Sequence, residues 1–113
     1  MKRIETLASL VDKDAYVLDI GTDHAYLPIY LYKNNITKSI VGSDISKNAL
    51  EYAKTNLVKY GLENKIKLIV SDGFKNINET FDIAIISGVG TQTIKKIPVS
   101  YTHLRAHETK ANL

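Results

Sequence analysis

The run Tyr16-Val17-Leu18-Asp19-Ile20-Gly21-Thr22-Asp23-His24-Ala25 decides the fold. A short, mostly apolar stretch ends at a glycine, and a polar turn follows at once. Such a stretch reads as a strand buried on both faces. The turn feeds a helical segment through Leu27, Tyr30 and Leu31, and Pro28 fits there only in the first helical turn. Strand, glycine turn and helix together open a crossover unit.

The same unit recurs downstream. Ser39-Ile40-Val41-Gly42-Ser43-Asp44 predicts a second strand, and Asn34-Asn35 ends the helix before it. Ser46 can cap a helix running to about Tyr60, with Gly61 as its stop. Leu50, Ala53, Leu57 and Tyr60 form the expected inward face of that helix. Ile66 to Val70 predicts a third strand, followed by Ser71-Asp72-Gly73. Phe81 to Ile86 predicts a fourth, followed by Ser87-Gly88-Val89-Gly90. Upstream, Ile4, Leu7, Ala8 and Val11 predict an amphipathic helix that Asp12-Lys13-Asp14 breaks.

Strands alternating with helices imply right-handed crossovers. The expected class is therefore α/β, a Rossmann-like parallel sheet with flanking helices. Strand order 3-2-1-4 is expected, truncated after about the fourth strand, which is left as an exposed edge. Residues 1–97 are read as a partial cofactor-binding domain. Residues 98–113 depart from the pattern and are read as an unrelated, artefactual tail.

Composition narrows the class further. The 113 residues suffice for one small domain, and 44% hydrophobic with 24% charged residues is ordinary for a globular chain. No cysteine is present, which excludes disulfides and thiolate metal sites. His103 and His107 share a helical spacing but lack a third ligand, so no metal is expected. No apolar run approaches the roughly 18 residues of a membrane helix, and the N-terminus lacks the core of a signal peptide. A cytoplasmic protein is expected. A net charge of +3 permits a nucleic-acid partner without requiring one.

Polar residues stand in phase with the strand ends. Ligands of open parallel sheets bind beyond those ends. Asp19 and Gly21 end strand one, Asp44 strand two, Asp72-Gly73 strand three, and Gly88 and Gly90 strand four. Gly21 allows a sharp turn and close ligand approach. Asp44 falls where a carboxylate can accept both hydroxyls of a ribose. Asp72 could accept from the exocyclic amine of an adenine, and Gly88-Val89-Gly90 could leave room for an acceptor base. Each also has a plainer reading: Asp19 or Asp44 as a cap, Asp72-Gly73 as a turn, His24 as a turn histidine, Tyr26, Tyr30 and Tyr32 as packing or surface groups. A dinucleotide usually demands G-x-G-x-x-G. This chain has Asp23 in that turn, which would repel a pyrophosphate and suit the cationic end of S-adenosylmethionine.

The run Asp19 to Pro28 resembles the first motif of the bacterial tRNA (adenine(22)-N1)-methyltransferases, the TrmK-type family of S-adenosylmethionine-dependent enzymes. The resemblance continues through Val41-Gly42-Ser43-Asp44-Ile45, Asn56, Tyr60-Gly61-Leu62 and Ser71-Asp72-Gly73. Common methyltransferases carry a second glycine at the place of Asp23. The family implies methyl transfer from S-adenosylmethionine to N1 of an adenine in tRNA. Carried over by position, Asp19, Gly21, Thr22, Asp23 and His24 line the methionine end, Asp44 with Ile45 the ribose side and Asp72 with Gly73 the adenine, and Gly88 is a further cofactor-binding residue. Asp23 is the candidate catalytic residue and His24 the second. Where the family has methionine and a second adjacent glycine, this chain has Val89 and Thr91. Two other readings stay open: a non-catalytic cofactor-binding fragment or pseudoenzyme, and another Rossmann-fold nucleotide-dependent enzyme.

Overall fold

The computed structural model describes residues 2–87 and 91–95. Gly88-Val89-Gly90 and the segment 96–113, with His103 and His107, lie outside the described residues. The chain runs α1 (Lys2–Ala8), β1 (Val17–Ile20), α2 (Tyr26–Lys33), β2 (Ile40–Asp44), α3 (Lys47–Lys59), β3 (Lys67–Val70), β4 (Ile83–Ile86) and β5 (Gln92–Lys95).

Helix ends follow from local chemistry. The Ser46 hydroxyl accepts from the Ala49 amide at 3.1 Å, capping α3. At the other end Leu62 N–H donates to the Leu57 carbonyl and Gly61 N–H to that of Val58, a Schellman pair that Gly61 permits at φ 72. Asn35 plays the same part for α2 at φ 57: Ile36 N–H donates to the Leu31 carbonyl and Asn35 N–H to that of Tyr32. Asparagine tolerates this left-handed conformation better than most residues. Pro28 sits in the first turn of α2, where its missing N–H costs nothing.

The five strands form one sheet in the order β3-β2-β1-β4-β5. The pairs β1–β2, β1–β4 and β2–β3 are parallel. The fifth strand corrects the expectation that β4 would be an exposed edge. β5 pairs antiparallel to β4, with Ile86 opposite Gln92 and Ile83 opposite Lys95. The sheet is thus mostly parallel with one antiparallel margin, and β4 is internal to it.

Two cores flank the sheet. Val17, Ile40, Ile83 and Ile85 point toward the helices and join Leu7, Leu27, Leu31, Leu50, Ala53 and Leu57. Leu18, Ile20 and Ala84 point the other way, where Ile77, Phe81 and Ile94 cover them. The alternation along β1 places Asp19 on the helix-facing side, beside Val17. Tyr60, expected inward on α3, is 45% exposed instead; the helix ends at Lys59 and its cap turns the ring outward.

Candidate functional site

The loop after β1 is built by backbone strain and by bonds to β2. Gly21 (φ 77), Asp23 (φ 55) and Ala25 (φ 63) are all left-handed. A Cβ on Gly21 would meet the Ser87 carbonyl oxygen at 3.1 Å, so any side chain there would be both crowded and strained. The Gly21 and Thr22 amides both donate to the Ser43 carbonyl at 2.8 Å. The Asp23 amide donates to Asp44 Oδ2 at 3.0 Å. Left-handed alanine is costly, and such strain clusters at functional sites. Aspartate is among the few side chains that tolerate it, so Asp23 stands where a glycine would ordinarily be needed.

A pocket of about 410 Å³ opens over this loop. Its walls include Arg3 from α1, Asp19, Gly21, Thr22, Asp23, Tyr26 and Ser87. Asp19 is 2% exposed, and burial pushes its carboxyl up to about 7; the neighbouring Thr22 hydroxyl pulls it down and the Asp44 charge adds to the rise. Asp19 Oδ1 and Thr22 Oγ1 are nevertheless buried without a well-formed hydrogen bond. Buried polar atoms without a partner are rare, and one beside a pocket marks a place for a ligand's donor. Gly42 makes room for this arrangement, since a Cβ there would lie 3.1 Å from Thr22 Oγ1.

The other predicted residues line the same edge of the sheet. Asp44 Oδ1 accepts from the Ser46 amide at 3.0 Å while Oδ2 accepts from Asp23. Each oxygen keeps a lone pair for another donor. Ile45 beside it is 67% exposed. Asp72 lies two residues beyond β3, exposed and 3.1 Å from Lys75, and Gly73 follows at the same corner. Asp72 and Gly73 are not among the pocket's walls; they lie two strands away from Asp19. Adjacent strands are about 4.8 Å apart, so the row from β1 to β3 spans roughly 10 Å, the scale of a nucleoside.

The two candidate catalytic residues are adjacent but face differently. His24 Nδ1 lies 3.1 Å from Asp23 Oδ2. Asp23 lines the pocket, whereas the His24 ring stacks on Tyr26 at 5.3 Å and tilts against Tyr52 at 5.4 Å. Asn56 secures this turn by donating to the His24 carbonyl at 2.8 Å. Reading the sequence missed Arg3 and Ser87 as pocket walls. Arg3 donates to the Thr91 hydroxyl at 3.2 Å, bridging α1 to the start of β5; only the packing of α1 brings it there.

The site is therefore acidic, with one cation on its wall. It also speaks against a pyrophosphate. The amides of Gly21, Thr22 and Asp23 are consumed by β2 and Asp44 instead of facing a ligand. Among the described residues no cluster of three or more histidine or carboxylate side chains could hold a metal, and no helix is long and apolar enough to cross a membrane.

These features define a class, and comparison with known proteins agrees: the chain belongs to the methyltransferase domain family, whose model matches residues 1–110. Within it, the chain is 33% identical over 97 residues to the Bacillus subtilis tRNA (adenine(22)-N(1))-methyltransferase, covering 85% of this chain and 41% of that one. A Mycoplasma genitalium protein named as a candidate tRNA methyltransferase is 47% identical over 94 residues, covering 79% and 42%. The solved M. capricolum TrmK with its cofactor product S-adenosyl-homocysteine superposes with a TM-score of 0.70 at 39% identity, covering 78% of this chain and 41% of that one. The chain thus spans about two fifths of the length of the proteins it resembles.

Proposed function

We propose that this chain carries the cofactor half of a methyl transfer from S-adenosylmethionine to N1 of an adenine in tRNA, in the cytoplasm. The observation that supports it most is the pairing of an orphaned, buried Asp19 with a pocket whose other acid is Asp23. A ligand with an ammonium and a sulfonium suits those walls, and Arg3 suits its carboxylate. The family and the relatives named above point the same way.

Asp44, held by two amides, accepts the ribose hydroxyls, with Ile45 against the sugar and base. Asp72 and the corner at Gly73 meet the adenine. Asp19, Gly21, Thr22 and Asp23 receive the methionine end, with His24 behind Asp23. Gly88, outside the described residues, is assigned to the cofactor, next to the place of the acceptor base. The bound cofactor supplies an electrophilic methyl group on sulfur. The protein's work is then alignment of the acceptor nitrogen with that methyl. With that donor bound, the Asp23 carboxylate on the pocket wall would stabilise the positive charge that methylation leaves on the acceptor base.

The test is calorimetric titration of the chain with S-adenosylhomocysteine, alongside Asp44→Ala. Saturable binding by the parent and its loss in the variant are expected. A chain that circular dichroism shows to be folded, yet that binds nothing, overturns the proposal. Asp23→Gly probes the second half of the reaction. It keeps the left-handed backbone and removes only the carboxylate, so cofactor affinity should change less than the rate of methyl transfer to tRNA.

A further inference from the structure

A second concavity adjoins the first. A groove of about 430 Å³ runs over α2, lined by Ile4, Tyr26, Ile29, Tyr30, Lys33, Asn34 and Tyr60. Tyr26 and Ile4 belong to both, so the groove leads out of the cofactor pocket. Its walls differ in character. They hold three tyrosines and a lysine and no carboxylate. The far side of the seam is a row on α3 and its cap: Tyr52, Asn56 and the capping Tyr60 follow at intervals of four, and each reaches toward the β1–α2 turn or α2. Tyr52 meets the His24 ring, Asn56 the His24 carbonyl, and Tyr60 lies beneath Lys33 at 4.7 Å, with Lys59 at 5.8 Å.

The aromatic rings of this seam are wet. Tyr26, Tyr52 and Tyr60 are 52%, 62% and 45% exposed. Exposed aromatic rings with lysines at one end, Lys33 and Lys59 at Tyr60, suit unpaired nucleotides, which need rings to stack on and cations for the phosphates. From Tyr52 to Tyr60 the row runs roughly 12 Å at a helical rise of 1.5 Å per residue. That matches about three to four base steps at roughly 3.4 Å each. We infer that the α2–α3 seam is a binding track for unpaired RNA nucleotides flanking the methyl acceptor. The inference rests on the methyltransferase reading and adds the surface by which the polynucleotide is held.

The test measures fluorescence anisotropy of a labelled single-stranded hexa-adenylate RNA with the 113-residue chain, at two salt concentrations. Tyr60→Ala should weaken binding about tenfold at unchanged salt dependence, and Tyr60→Phe should restore it, because stacking needs the ring and not the hydroxyl. Lys33→Ala should instead reduce the slope of log affinity against log salt by about one. Both variants should bind S-adenosylhomocysteine within twofold of the parent, which shows that the domain is intact. Parent-like RNA affinity in both alanine variants overturns the inference, as does a parent chain that binds S-adenosylhomocysteine but no RNA. A chain that binds RNA through Tyr60 but no S-adenosylhomocysteine upholds the track and overturns the cofactor assignment.

Discussion

Asp19 is the residue on which most depends. Its carboxyl is buried and pushed up to about 7 from 3.8. The folded state therefore holds a proton more tightly than the unfolded chain. Its contribution is fully present below about pH 4 and lost as pH rises toward 7, on the order of 4 kcal/mol in all. Asp19→Asn should flatten that part of the stability curve, as urea denaturation at pH 5 and pH 8 would show. The same shift governs the ligand. A cationic group paired with Asp19 favours the ionised carboxylate, so S-adenosylhomocysteine affinity should rise from pH 5.5 to 7 and level off above. Calorimetry on Asp19→Asn should find no such rise. Were the affinity of the parent pH-independent, Asp19 would not meet a cation.

At the level of elements, capping and ligand binding are separable. Ser46→Ala removes the side-chain acceptor for Ala49 but leaves the Ser46 amide that holds Asp44. It should cost about 1 kcal/mol in denaturation and leave cofactor affinity within twofold. Elements with a periodic apolar face were legible from sequence: β1 to β4, α2 and α3 all stand where their patterns put them. β5 was not. Of Gln92-Thr93-Ile94-Lys95 only Ile94 is buried, so this strand exists through pairing with β4 and carries almost no pattern of its own. Ile94→Ala should accordingly cost roughly 2–4 kcal/mol and loosen the β4–β5 pairing, read as faster amide exchange along β5. Asp19, Gly21, Asp23 and Asp44 could be singled out because each lies at the end of a strand or in the turn that follows it. Arg3, Ser87 and the outward ring of Tyr60 could not, since each depends on packing between distant segments.

For the whole molecule, the proposed cofactor site runs from the pocket over the β1 loop, which Ser87 after β4 also lines, along the carboxyl ends of β2 and β3. A ligand there should stabilise the entire domain. At a free concentration 100 times its dissociation constant, S-adenosylhomocysteine should add about 2.7 kcal/mol, raising Tm by roughly 10 °C, and Asp44→Ala should show no rise. The topology also sets an order of events. The hairpin of β4 and β5 closes over a few residues, whereas the Tyr16 amide meets the Asp82 carboxylate across 66 positions of chain. Contacts so far apart form late, because a long loop must be closed before they contribute. Gly21 reaches its final surroundings only once the Ser87 carbonyl has arrived beside it. The cradle around Gly21 is thus expected among the last features to mature as the chain folds, so that ligand binding would report completed folding.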